Sequence, residues 1–159
     1  MKANGKNLKM FLYESHDYMD MYPEKHLTTY PTKGDIDNFI AHMRKRWCSG
    51  TMSDAKELTP MELFEQRQSR YWKGCEEAID NAVLDCPQYY VDEYSFYVAN
   101  KDWDISSLRK AWDDHIEDLI SRLFVALLGH SLFNELGTKF LKLRHFLFLR
   151  ILHHRITRR

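Results

Sequence analysis

Glycine is scarce, with six residues in a chain of 159, and neither a GxxxxGK[ST] loop nor a GxGxxG turn occurs. A backbone cradle for phosphates is therefore not expected. Cysteine is scarcer still: Cys48, Cys75 and Cys86 are an odd number at spacings that match neither a disulfide framework nor a zinc knuckle. That usage fits a reducing compartment, and a cytoplasmic location is expected. Cys75 and Cys86 lie beside acidic residues, which raise a thiol pKa and work against a nucleophilic role. Eight histidines are present, yet no HxxxH, HExxH or CxxC spacing appears and His153-His154 has no third ligand nearby, so no metal or cofactor is expected. His115 falls on an apolar helical stripe and reads as a core histidine. No uncharged apolar run reaches the length of a spanning helix, and none follows the polar start at residues 1–6. Neither a secretory leader nor a membrane partner is expected.

Net charge is also absent, but as a cancellation. Residues 1–53 carry eight Lys/Arg against six Asp/Glu, residues 54–118 seven against sixteen, and residues 119–159 eight against one. From Gly74 to Asn100 there is no Lys or Arg at all. Sorting of this kind shapes fields and partner choice rather than the fold. It divides the chain into an N-terminal unit (1–53), an acidic helical domain (54–137) and a basic C-terminal helix (138–159).

The periodicities predict a mainly α, α+β fold: a small N-terminal strand-helix unit followed by a helical bundle built on two long helices. Leu8 to Tyr13 alternates like a short strand, with a second strand near Leu27 to Tyr30. Ile36, Phe39, Ile40, Met43 and Trp47 predict a helix over Asp35 to Cys48, and Ser49 to Leu58 reads as a polar connection. Thr59-Pro60-Met61-Glu62 combines an N-cap, a proline at the first helical position and a capping-box glutamate. The apolar stripe that follows predicts one helix, long or slightly bent, to about Leu84, with Pro87 as the stop. Gln88 to Ala99 reads as a short aromatic helix, although its tyrosines suit a strand on propensity. Ser106 or Ser107 is expected to cap a second long helix to Leu128, with a stripe through Leu108, Trp112, Ile116, Leu119, Leu123 and Phe124. Thr138 is expected to cap a last helix.

No catalytic motif emerges, so the chain is read as non-enzymatic. The acidic part carries same-face pairs one turn apart: Glu76 with Asp80, Asp113 with Glu117, and Asp114 with Asp118. Such pairs repel by a few tenths of a kcal/mol each. Carboxylates in a rigid helical row, about 5–6 Å apart, are broadly comparable to phosphates along a nucleic-acid strand. They would profit from the same counterion release in a DNA-binding groove.

Residues Pro87-Gln88-Tyr89-Tyr90-Val91-Asp92-Glu93-Tyr94-Ser95, followed by Leu108-Arg109 and by Ile116-Glu117-Asp118-Leu119 to Leu123-Phe124, resemble the central and C-terminal helices of the phage Ocr anti-restriction family. The resemblance implies a small, mostly helical, dimeric DNA mimic, made early in infection. Such proteins bind type I restriction-modification enzymes and related host defences in place of DNA. It implies that Asp92, Glu117 and Asp118 contribute to the phosphate-like surface, and that Tyr89, Tyr90, Leu119 and Leu123 are packing positions. Charge alone extends the candidate surface to Glu76, Glu77, Asp80, Asp85, Glu93, Asp113 and Asp114. The chain departs from the family in its strand-containing N-terminus, a shorter linker between the matched pieces, and a basic C-terminus where an acidic one is expected.

That C-terminus places Lys139, Lys142, Arg144, Arg150, Arg155, Arg158 and Arg159 among apolar residues. Four roles are open to it: contact with nucleic acid, contact with an anionic membrane surface, a terminal helix that snorkels its charges over the core, or pairing with the acidic face of a second copy. The favoured function is a phage or mobile-element anti-defence protein that inhibits a nucleic-acid-binding host protein. The alternative is a nucleic-acid-associated regulator that makes contact through the tail.

Overall fold

The computed structural model describes residues 7–129, and side chains from 7 to 125. The described residues form a mixed, mainly helical α+β fold with a small antiparallel sheet at the N-terminus. The chain divides into two compact units, Met1–Trp112 and Asp113–Arg159.

In the first unit, strand β1 (Lys9–Asp17) pairs antiparallel with β2 (Glu24–Tyr30) in a register running from Lys9 opposite Tyr30 to Ser15 opposite Glu24. The other edge of β1 is occupied twice. Near its C-terminal end it takes β3 (Gly50–Met52), with Ser15 opposite Met52, and in its middle it takes β4 (Lys56–Glu57), with Phe11 opposite Glu57. The segment 49–58, expected to be a polar connection, is thus part of the sheet. It carries the sheet beyond residue 53. Its strands are too short to show a side-chain alternation, because backbone pairing with β1 does the work.

Helix α1 (Lys33–Arg46) opens on a capping box, Thr32 with Asp35, and carries Arg44, Lys45 and Arg46 in its last turn. Ile36 and Ile40 turn inward onto Phe11 and Ala55, with Tyr13, Tyr30, Phe39 and Met52 around them. Arg44 fastens the helix to the β3 edge, donating from Nε and Nη2 to the Met52 carbonyl at 3.1 and 2.7 Å. Where α1 gives way to β3, the backbone runs so close that a Cβ on Gly50 would overlap the His16 carbonyl and come within 2.6 and 2.7 Å of Trp47 ring carbons.

The expected capping box at Thr59 and Glu62 is present and starts α2 (Pro60–Gln68). The continuous helix expected from there to Leu84 is not: Ser69 is extended, Arg70–Trp72 form a single 3₁₀ turn, and Gly74 takes φ +93° before α3 (Glu76–Val83) begins. Gly74 supplies a conformation that L side chains rarely adopt. The apolar period survives across the break because Phe64, Ile79 and Val83 all still reach the interior. Tyr71 of the 3₁₀ turn binds the sheet, accepting from the Lys25 N–H at 2.8 Å.

Pro87 precedes α4 (Gln88–Ala99), a helix as expected. Its Tyr94 and Tyr97 are buried, and Tyr97 meets Phe64 of α2 and Trp112, with ring centroids 6.0 and 6.3 Å apart. The next helix, α5 (Ile105–Gly129), is capped by Asp104 rather than by Ser106 or Ser107: Asp104 Oδ1 accepts from the Ser107 N–H at 2.9 Å and Oδ2 from the Ser107 hydroxyl. Within α5, Leu108 and Trp112 are buried, whereas Leu119, Leu123 and Phe124 are 42%, 59% and 46% exposed. The packing role expected of Leu119 and Leu123 is therefore not met, and His115 is exposed as well. The expected helix from Thr138 lies outside the described residues.

Two outcomes follow from these contacts. Gly50→Ala should lose about 1–3 kcal/mol of stability by overpacking, measured by denaturant unfolding. Glu62 is desolvated, which opposes its ionisation. Hydrogen bonds from Lys56 and Thr59, with the Lys56 charge, nevertheless hold its carboxyl below the ordinary 4.5. Its contribution to stability is present above that value and is lost as pH falls through the lowered one. Unfolding midpoints followed from pH 6 downward should decline less steeply in Glu62→Gln than in the wild type.

Candidate partner-binding surface

The structure sorts the ten carboxylates of the expected acidic surface into those that serve the fold and those that face solvent. Asp80, on α3, accepts from Arg67 Nε at 3.0 Å and Nη2 at 3.2 Å, and from the Tyr94 hydroxyl at 2.7 Å. One carboxylate thus ties together α2, α3 and α4. The hydrogen bond to Asp80 holds the Arg67 guanidinium firmly protonated, and burial pushes the Tyr94 hydroxyl far above its ordinary range, so it stays a donor. Glu93 is 0% exposed and accepts from the Tyr97 hydroxyl at 2.6 Å. It is an interior residue, and the expectation that it faces a partner is corrected. Its place on the inner side of α4, one turn from Tyr97, is what removes it from the surface.

Glu76 is half-buried at the start of α3, where its Oε2 accepts from the Gly74 N–H at 2.7 Å. Glu77, Asp85 and Asp92 are exposed. Asp92 takes a hydrogen bond from Gln88 Nε2 at 2.8 Å, one turn back on α4, which leaves its outer oxygen to solvent. In the second unit, Asp113, Asp114, Glu117 and Asp118 are all exposed on α5. Asp118 pairs with Arg122 Nε at 2.8 Å, an i,i+4 contact in water of small energetic weight. Asp113 and Glu117 lie one turn apart, as do Asp114 and Asp118, so α5 carries its charge in two adjacent rows. The basic candidates Lys139, Lys142, Arg144, Arg150, Arg155, Arg158 and Arg159 lie outside the described residues.

Two surface features escape a reading of the sequence. The turn joining β1 to β2 exposes Tyr18, Met19, Met21 and Tyr22, with Met19 at 92%. Its only sequence signal is four large apolar side chains in a stretch without period. The second is a cationic cleft at the break between α2 and α3, whose signal in the chain is limited to the spacing of Arg67 and Arg70. Burial lifts the Cys86 thiol to about 11, aided by Asp85, so it is a weak nucleophile at neutral pH. Among the described residues no three His, Cys, Asp or Glu side chains gather as a metal site, and no helix is long and apolar enough to cross a membrane.

Fold and surface together define a mainly helical α+β protein with solvent-facing carboxylates. No protein-family model matches the chain, and neither a curated protein nor a solved structure was found to be similar to it.

The division of labour among the carboxylates is measurable. Asp80→Ala strands the Arg67 guanidinium, whose side chain is 15% exposed, and should cost about 2 kcal/mol in denaturant unfolding. Asp85→Ala, at an exposed position, should stay within about 0.5 kcal/mol of the wild type.

Proposed function

We propose that this protein is a non-enzymatic inhibitor of a nucleic-acid-binding host defence protein, presenting the carboxylates of α5 where that protein expects DNA. The observation that carries this reading is the exposure of Asp113, Asp114, Glu117 and Asp118 together on one helix. From 113 to 118 the helix rises about 7.5 Å. That is roughly one carboxylate per 2 Å of rise, one of the four being shared with Arg122, against about 1.7 Å per charge for duplex DNA. A helix holds those charges in fixed relative positions, so a basic groove meets a preorganised row and releases its counterions as it would on DNA. Exposed Leu119, Leu123 and Phe124 continue from the charged turns and supply the apolar contact that a protein interface adds to electrostatics. The resemblance of residues 87–95, 108–109 and 116–124 to the Ocr family supports the same partner class, type I restriction enzymes among them. Glu77, Asp85 and Asp92 are secondary contributors in the first unit. Action in the cytoplasm of a phage-infected host belongs to this reading.

The test is inhibition of DNA cleavage by a type I restriction enzyme. The wild-type chain should inhibit and lose potency as salt rises. The variant Asp113→Asn, Asp114→Asn, Glu117→Gln, Asp118→Asn should be weaker by about tenfold or more at unchanged helicity. Undiminished inhibition by that variant overturns the assignment to α5. Retardation of duplex DNA by the intact chain, lost on removal of residues 138–159, would instead support the regulator that binds nucleic acid through its basic tail.

A further inference from the structure

The long sequence stretch without a cation, Gly74 to Asn100, is bracketed by Lys73 and Lys101, and the fold brings both brackets to one cleft. The cleft has a volume of about 730 Å³ and is lined in addition by Arg67, Arg70, Ser69 and Glu76. Ser69, Arg70, Lys73 and Glu76 of its lining belong to the break between α2 and α3 and the first residue of α3. We propose that this cleft binds a small phosphorylated ligand of about nucleotide size.

Three observations lead there. Arg70, Lys73 and Lys101 are exposed, and none has an ion-pair partner among the described residues, so three like charges line the cleft with Glu76 as the one carboxylate beside them. Arg67 uses two of its five N–H donors on Asp80, which fixes the guanidinium and leaves three donors for an oxyanion. The volume lies within the range of about 300–1,000 Å³ typical of small-molecule sites.

Glu76 narrows the ligand class. Its Oε2 is held by the Gly74 N–H, and a carboxylate among cations would repel a bare phosphate. It matches a ligand that carries a hydroxyl or amino donor beside its phosphates, as a nucleotide does. The site uses none of the α5 carboxylates and stands independently of the inhibitor role.

The experiment is isothermal titration of the full chain, at low salt and without added metal, with pyrophosphate, ATP and a single-stranded oligonucleotide as separate probes. Saturable one-site binding of pyrophosphate or ATP, weakened by salt, is expected, and tighter binding of ATP identifies a nucleotide rather than a free phosphate anion. Lys73→Glu with Lys101→Glu should weaken binding by about tenfold or more, and Arg70→Glu, from a different element, should do so at an unchanged thermal midpoint. Absence of saturable binding at millimolar probe, or affinity unchanged in both variants, overturns the proposal. Binding of the oligonucleotide without pyrophosphate or ATP overturns it too, in favour of a nucleic-acid groove.

Discussion

A single carboxylate organises the helical part of the first unit. Asp80 receives both arms of Arg67 and the Tyr94 hydroxyl, and so fixes the distances between α2, α3 and α4 at the point where the chain is least regular. A charge-assisted contact of this kind contributes more than a neutral hydrogen bond, typically about 1.5–3 kcal/mol. Partial exposure of Asp80 moderates that figure. Its position matters more than its magnitude. The chain breaks over Ser69 to Cys75, and the Arg67–Asp80 pair spans that break with a directional contact.

That clamp explains why part of the acidic surface expected from composition does not exist. A carboxylate near an arginine in sequence space is simply a charge; whether it faces a partner depends on a tertiary contact. Arg67 and Asp80 are separated by a break that leaves the apolar period intact, so nothing in the period announces either the break or the pair. Glu93 was hidden for a related reason. It lies one turn before Tyr97, and that spacing is visible in the chain, but only the packing of α4 makes the side facing Phe64 and Trp112 the inner one. By contrast, the exposure of Asp113, Asp114, Glu117 and Asp118 follows directly from their crowding on consecutive helical positions, where no interior could accept four charges.

The fold was legible to the same degree and for the same reasons. Local chemistry with a fixed spacing read correctly: the box at Thr59 and Glu62, Pro87 before α4, and the apolar steps of α1. Structure that rests on backbone pairing did not, and β3 and β4 are the case in point, since two or three residues at a sheet edge need no pattern of their own once β1 offers its N–H and C=O groups. The cap of α5 lies two positions before the first of the expected serines. Serines at 106 and 107 are good capping residues, but Asp104 lies three positions before Ser107, and its carboxylate reaches both the N–H and the hydroxyl.

These contacts change the meaning of the neutral net charge. The acidic middle of the chain, residues 54–118, is not an acidic object in space. Within the first unit four of its cations, Arg67, Arg70, Lys73 and Lys101, line one cleft, while Glu77, Asp85 and Asp92 face solvent and Asp80 and Glu93 are consumed by the fold. Fields are set by such arrangements and not by sums over sequence windows. A segment with nine more acidic than basic residues therefore holds a cleft lined by four cations, which the break between α2 and α3 accommodates.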